Sequence, residues 1–175
     1  MKNRPKVPIY EEQYLDMTKD CALFKKERGY VQVPLSREEE DFPLAFSLAV
    51  YRDVEQMERL LRAIYQPQNL YCIHVDTKSP LLLHQTILSI ARCFDNVWVS
   101  TQLVKVKWGD ISVILPEIKC MTDLLKYFRG KYKYFINLTG QEFPLRTNLE
   151  LVRIAKIFNG SNDIAGSVAR YISLQ

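Results

Sequence analysis

The sequence predicts an α/β protein built on a Rossmann-like, mostly parallel sheet with flanking helices, and three observations predict it. Short apolar runs rich in β-branched and aromatic residues alternate with amphipathic stretches of helical period. Brief turn sequences such as Gln66-Pro67-Gln68-Asn69 join them. Three or four βα units follow one another without an internal repeat, which argues one layered sheet with right-handed crossovers.

The elements follow in order. Residues 1–40 have weak periodicity. Asp20-Cys21 to Glu27 reads as a short helix ended by Gly29, and Ser36-Arg37-Glu38-Glu39 matches a capping box. Pro43 leads into a first strand, Leu44–Val50. Asp53 is the N-cap of the next helix, with Gln56 three residues on. Val54, Met57, Leu60, Leu61 and Ile64 form its apolar stripe. The second strand is Leu70–Asp76. Ser79-Pro80 opens a helix to about Cys93, with proline at the first helical position, where its missing N–H costs nothing. Asn96–Ser100 is the third strand. Lys105 to Asp110 reads as a short edge strand and turn. Ile111–Arg129 is helical, and Pro116 either starts that helix or kinks it. Tyr132–Leu138 is a strand, with a loop from Thr139 to Pro144 at its carboxyl end. Thr147-Asn148-Leu149-Glu150 caps a helix over Leu149–Phe158, and Asn159-Gly160 ends it. The segment from Ala165 to Gln175 has little pattern.

Composition narrows the function classes. A chain of 175 residues holds one domain with a real core, and 47% hydrophobic with 25% charged residues is ordinary for a globular protein. The net charge of +4 is spread without a block of like charges, which argues against a nucleic-acid partner. No signal peptide or membrane span is read: residues 1–8 are polar and proline-containing, and the longest apolar runs are strand length. Taken alone, that suggests a cytosolic protein. The four cysteines, Cys21, Cys72, Cys93 and Cys120, have no CxxC spacing, so zinc and redox-motif readings are weak. They allow three disulfide pairings in an oxidising compartment, or buried free thiols in a reducing one.

Asp76 is the leading site candidate. In open parallel sheets ligands gather outside the carboxyl ends of the strands. A carboxylate there can accept hydrogen bonds from a nucleoside, or simply end the strand. Glu142, in a loop at another strand end, either touches substrate or is solvated. His74 reads as a satisfied core histidine and His84 as a helix-surface residue. Asp53-Val54-Glu55 is the one lookalike of an Asp-x-Asp metal motif, and its place in a first helical turn explains it more simply.

Four ordered blocks carry a resemblance. Phe42 to Ser47, Arg59 to Asn69, Tyr71 to Lys78 and Gly140 to Asn148 resemble the core-2 and I-branching β-1,6-N-acetylglucosaminyltransferases, over about Cys21 to Ile164. The resemblance implies a variant GT-A fold, here incomplete, with residues 1–41 as an N-terminal extension, 42–164 as a donor-binding half-domain and 165–175 as an irregular tail. It implies an inverting, metal-independent transfer of GlcNAc from UDP-GlcNAc to a galactose or N-acetylgalactosamine C6 hydroxyl of an O-glycan or lactosamine acceptor, in the Golgi. For donor contacts it implies Ala49 with its neighbour Val50, which otherwise read as plain core, Asp76 on the nucleoside, and Trp108 near the nucleotide, where its ring either stacks on uracil or is an ordinary packed or half-exposed tryptophan. It pairs Cys21 with Cys93 and Cys72 with Cys120. The family's catalytic glutamate and diphosphate-neutralising basic residues have no counterpart here, so no catalytic residue is assigned and the chain is expected to be inactive alone. The rival expectation is a non-catalytic truncated isoform or interaction module. Ser112 fits the family pattern, whereas Val113 stands where arginine is usual and Pro116 where alanine is. Of two glycosylation sequons, Asn137 is expected in a buried strand and Asn159 in an accessible turn.

Overall fold

The structure is a computed structural model that describes residues 8–162. The expected irregular segment 165–175 lies outside them. Among the described residues four strands form one parallel sheet: β1 (Leu44–Val50), β2 (Leu70–Val75), β3 (Val97–Val99) and β4 (Tyr134–Thr139). Their order is β3-β2-β1-β4. The chain moves outward from β1 through β2 to β3, then returns to β1's other side as β4. Among the described residues seven α-helices accompany them: α1 (Glu11–Met17), α2 (Cys21–Arg28), α3 (Arg37–Glu40), α4 (Val54–Ile64), α5 (Leu81–Ala91), α6 (Leu115–Tyr127) and α7 (Asn148–Phe158).

Period-2 alternation divides the strands between two cores. Leu44, Phe46, Leu48 and Val50 of β1, with Tyr71, Ile73 and Val75 of β2, enter the larger core. There they meet Tyr14 of α1, Phe24 of α2, Met57, Leu60 and Leu61 of α4, and Ile87 and Ile90 of α5. The other face carries Ala45 and Leu70, packed with Leu124 of α6, Phe128 and Trp98 in a smaller cluster.

Sequence and structure differ at four places. Helix α1 lies within a stretch of weak periodicity and still contributes the fully buried Tyr14. Residues 105–110 form no strand; they follow an irregular path held by side chains. Pro80 is the N-cap of α5, not its first residue. Asn137 is exposed, because β4 has a single strand neighbour among the described residues and is only partly covered. At Pro116 the helix starts rather than kinks: a 3₁₀ turn, Ile111–Val113, precedes α6, and the proline occupies its first turn.

One buried carboxylate ties three helices together. Glu58 of α4 is 0% exposed. It accepts hydrogen bonds from Tyr14 Oη at 3.2 Å, Tyr30 Oη at 3.1 Å and Arg28 Nε at 3.1 Å, and from Arg28 Nη2. Burial and the Glu58 charge both push the Tyr14 and Tyr30 hydroxyls above their ordinary pKa, so both remain protonated donors. Two disulfides add covalent ties, Cys21–Cys93 and Cys72–Cys120, with Cα separations of 5.0 and 5.5 Å. The first joins α2 to the turn just after α5, and the second joins β2 to α6.

Removing one partner of a buried ion pair strands the other, at a cost of about 3–5 kcal/mol. Glu58→Ala should therefore lower the unfolding free energy by about that amount, read as a shift in the urea midpoint. Protein made in an oxidising compartment should yield non-reduced peptides linking Cys21 to Cys93 and Cys72 to Cys120. Recovery of four alkylatable thiols would contradict that pairing.

Candidate functional site

The α6 side of the sheet becomes small and polar toward the strand ends. On β1 the residues alternating onto that face are Ala45, Ser47 and Ala49; on β2 they are Cys72 and His74, with Asp76 just beyond the strand. Small side chains leave room, and a cleft of about 610 Å³ opens there. That volume suits a ligand of nucleotide size. The cleft lies at the carboxyl ends of β1, β2 and β4, where the strand order reverses. This is the switch point at which open α/β sheets bind ligands.

Ala49, Val50, Asp76 and Trp108 all line this one cleft. Asp76 is 4% exposed, and its backbone N–H donates to the Val50 carbonyl at 2.8 Å. Its Oδ1 accepts from the Lys78 backbone N–H at 2.9 Å, and its Oδ2 accepts from the Val106 N–H at 3.3 Å. Lys78 Nζ lies 3.5 Å from Oδ2. An ionised carboxylate offers about four lone-pair sites, so this one can still accept from a ligand. Trp108 is 93% exposed and stands at the rim.

His74 is 1% exposed, and its Nε2 accepts from the Val104 N–H at 2.9 Å. It is a satisfied buried histidine. Burial pushes its pKa below the ordinary histidine value, against a smaller opposing pull from Asp76. His84 differs from its expected surface position: it is half-buried, with Nε2 3.1 Å from the Asp76 carbonyl oxygen.

The opposite wall comes from the end of β4 and the connection between β1 and α4. The Gly140 N–H donates to the Ala49 carbonyl at 2.8 Å. A Cβ at Gly140 would lie 3.4 Å from that oxygen and 3.4 Å from Val50 Cγ2, so the strand ends approach closely. Gln141, with its amide oxygen turned toward Arg52, accepts from Nη2 at 3.0 Å. Glu142 does not line the cleft; its carboxylate accepts from the Thr139 N–H and shapes the turn. Val113 and Pro116 give the cleft an apolar wall. Asp53 caps α4 through the Gln56 N–H at 2.9 Å. Asn159 sits exposed at the α7 C-cap with φ 47°. Sequence reasoning did not single out Arg52, Lys78 or Gln141 as cleft residues. Each follows a strand's carboxyl end within three residues, and that position was the available signal.

A parallel sheet flanked by helices, with a cleft at its switch point, defines the class as a Rossmann-like α/β fold. The family model "Branch: Core-2/I-Branching enzyme" matches residues 44–170, and the chain belongs to that family. It is 42% identical over 161 residues to beta-1,3-galactosyl-O-glycosyl-glycoprotein beta-1,6-N-acetylglucosaminyltransferase 3 of Homo sapiens, covering 92% of this chain and 36% of that protein. It is 41% identical over 165 residues to the Bos taurus enzyme of the same name, covering 94% and 37%. To the beta-1,3-galactosyl-O-glycosyl-glycoprotein beta-1,6-N-acetylglucosaminyltransferase of Bovine herpesvirus 4 it is 42% identical over 167 residues, covering 95% and 37%. The chain thus spans well under half the length of these relatives.

Proposed function

We propose that the cleft is the donor site of a β-1,6-N-acetylglucosaminyltransferase and holds UDP-GlcNAc. The observation that carries this reading is the meeting of Ala49, Val50, Asp76 and Trp108 in one cleft at the switch point. Asp76 accepts hydrogen bonds from the nucleoside, Ala49 and Val50 give the base a small apolar floor, and Trp108 lies across the mouth as a stacking surface. Glu142 shapes the turn at the end of β4.

In this reading the acceptor is a galactose or N-acetylgalactosamine C6 hydroxyl of an O-glycan or lactosamine. A base removes the hydroxyl proton as its oxygen attacks the anomeric carbon, and UDP leaves with the C1–O bonding electrons, inverting that centre. No metal takes part, as the resemblance implies. The base and the groups that neutralise the diphosphate have no match in residues 1–175. The chain therefore binds donor without transferring it. Two disulfides suit a lumenal, Golgi-type compartment. In that compartment Asn159, exposed in its turn, is an N-glycan acceptor.

One observation favours the rival reading as an interaction module. Ile111, Ile114, Ile118 and Leu125 lie exposed at helical spacing along the 3₁₀ turn and α6, an apolar stripe suited to a protein partner.

Isothermal titration separates the readings. The chain should bind UDP. Asp76→Ala should weaken that binding about tenfold or more at unchanged far-UV circular dichroism, the size of one lost charged hydrogen bond. Equal affinities would remove Asp76 from the site, and a folded wild type blind to UDP would favour the interaction module. Incubated with UDP-GlcNAc and a core-1 acceptor, the 175-residue chain should give no product above a blank, because losing a general base alone typically costs ~10²–10⁴-fold. Robust turnover would show that the base lies within it.

A further inference from the structure

Residues 104–108 carry part of the cleft without regular structure of their own. Val106 and Trp108 both line it. Ser112 Oγ accepts from the Lys107 N–H at 2.8 Å, and the end of β2 holds the residues before it. The Val104 N–H donates to His74 Nε2 at 2.9 Å, the Val106 N–H donates to Asp76 Oδ2 at 3.3 Å, and the Thr77 N–H donates to the Val104 carbonyl at 3.2 Å. His74 and Asp76 are two residues apart on one strand direction and so reach the same side. Two of the three ties to β2 thus end on ionisable side chains, and the donor reading uses only Asp76.

We propose that His74 is a positioning residue for the donor cleft, holding residues 104–108, and with them Val106 and Trp108, in place through the bond from Val104 to its Nε2. This rests on the donor reading above. A ring nitrogen accepts a hydrogen bond only when it carries no proton, so the latch requires neutral His74 with its proton on Nδ1. Burial favours that state. The groups acting on the ring are Asp76 along β2, which favours the charged form, and His84 from α5, which disfavours it. Its register partner on β1, Ala49, brings no charge.

The pH dependence has a definite sign. The folded chain holds His74 below its unfolded pKa of about 6.5. The stability this contributes is complete above that value and is lost as pH falls through the lower folded value. The latch, a property of the folded chain, should open as pH falls through that lower folded value.

The test uses the whole chain and three proteins: wild type, His74→Gln and His74→Met. A glutamine amide oxygen can stand near the Nε2 position and accept at any pH, whereas methionine fills similar space and cannot accept. Methionine should weaken UDP binding roughly threefold to tenfold at pH 7.5, the scale of one lost neutral hydrogen bond. It should also speed amide exchange in a peptide covering 104–108 while β1 peptides keep their protection. Glutamine should retain affinity and lose the wild type's decline in UDP binding as pH is taken down below about 6.5, with His84→Gln retaining that decline. Unchanged exchange in 104–108 for His74→Met, or a glutamine variant with the wild-type pH profile, would overturn the proposal. A wild type that never binds UDP while His74→Met still frees 104–108 would remove the donor reading, and with it the role of His74 in a donor cleft.

Discussion

The pairing of β1 with a parallel neighbour on each side is the constraint from which the rest follows. Ala49 aligns with His74 on β2 and with Thr139 on β4, so three strand ends stop together. The Asp76 N–H to Val50 and the Gly140 N–H to Ala49, both 2.8 Å, carry that alignment just past the ladder. A slip of one residue would turn Ala49 and His74 to the larger core and drive Leu48 and Ile73 toward the cleft. Register is fixed by the bulk on one face; the cleft is the space left by the small residues on the other.

Most of the sheet was legible because its signals are local. The run Leu44–Val50, the stripe from Val54 to Ile64 and the capping box at Thr147 each declare an element within a dozen residues. The unpredicted parts depend on partners distant in sequence. Helix α1 is short and mostly polar, and its one deeply buried residue, Tyr14, finds its partner in Glu58, 44 residues away. Residues 105–110 alternate as a strand would, yet the Val106 N–H goes to the Asp76 side chain and the Lys107 N–H to Ser112 Oγ. For the site, a strand-end aspartate is readable from position alone. That Arg52, Lys78 and Gln141 share its cleft depends on strand order, which one sequence does not print.

The helical layer on the larger core is organised around charge as much as around apolar area. Glu58 could be replaced by a leucine only if Arg28, Tyr14 and Tyr30 were changed as well, because each would otherwise lose its buried partner. The cluster joins α1, α2 and the segment after it to α4, the helix that crosses from β1 to β2. Residues before the sheet therefore bear on the geometry of its strand ends.

The two disulfides interlock. Cys72 lies inside the loop closed by Cys21 and Cys93, and Cys93 lies inside the loop closed by Cys72 and Cys120. A protease that cuts once between Cys21 and Cys72 leaves pieces still joined by the first bridge, and a cut between Cys93 and Cys120 leaves pieces joined by the second. Between Cys72 and Cys93 both bridges span the break. A single nick anywhere in this hundred-residue stretch, including the exposed path around Trp108, therefore releases no fragment until the protein is reduced.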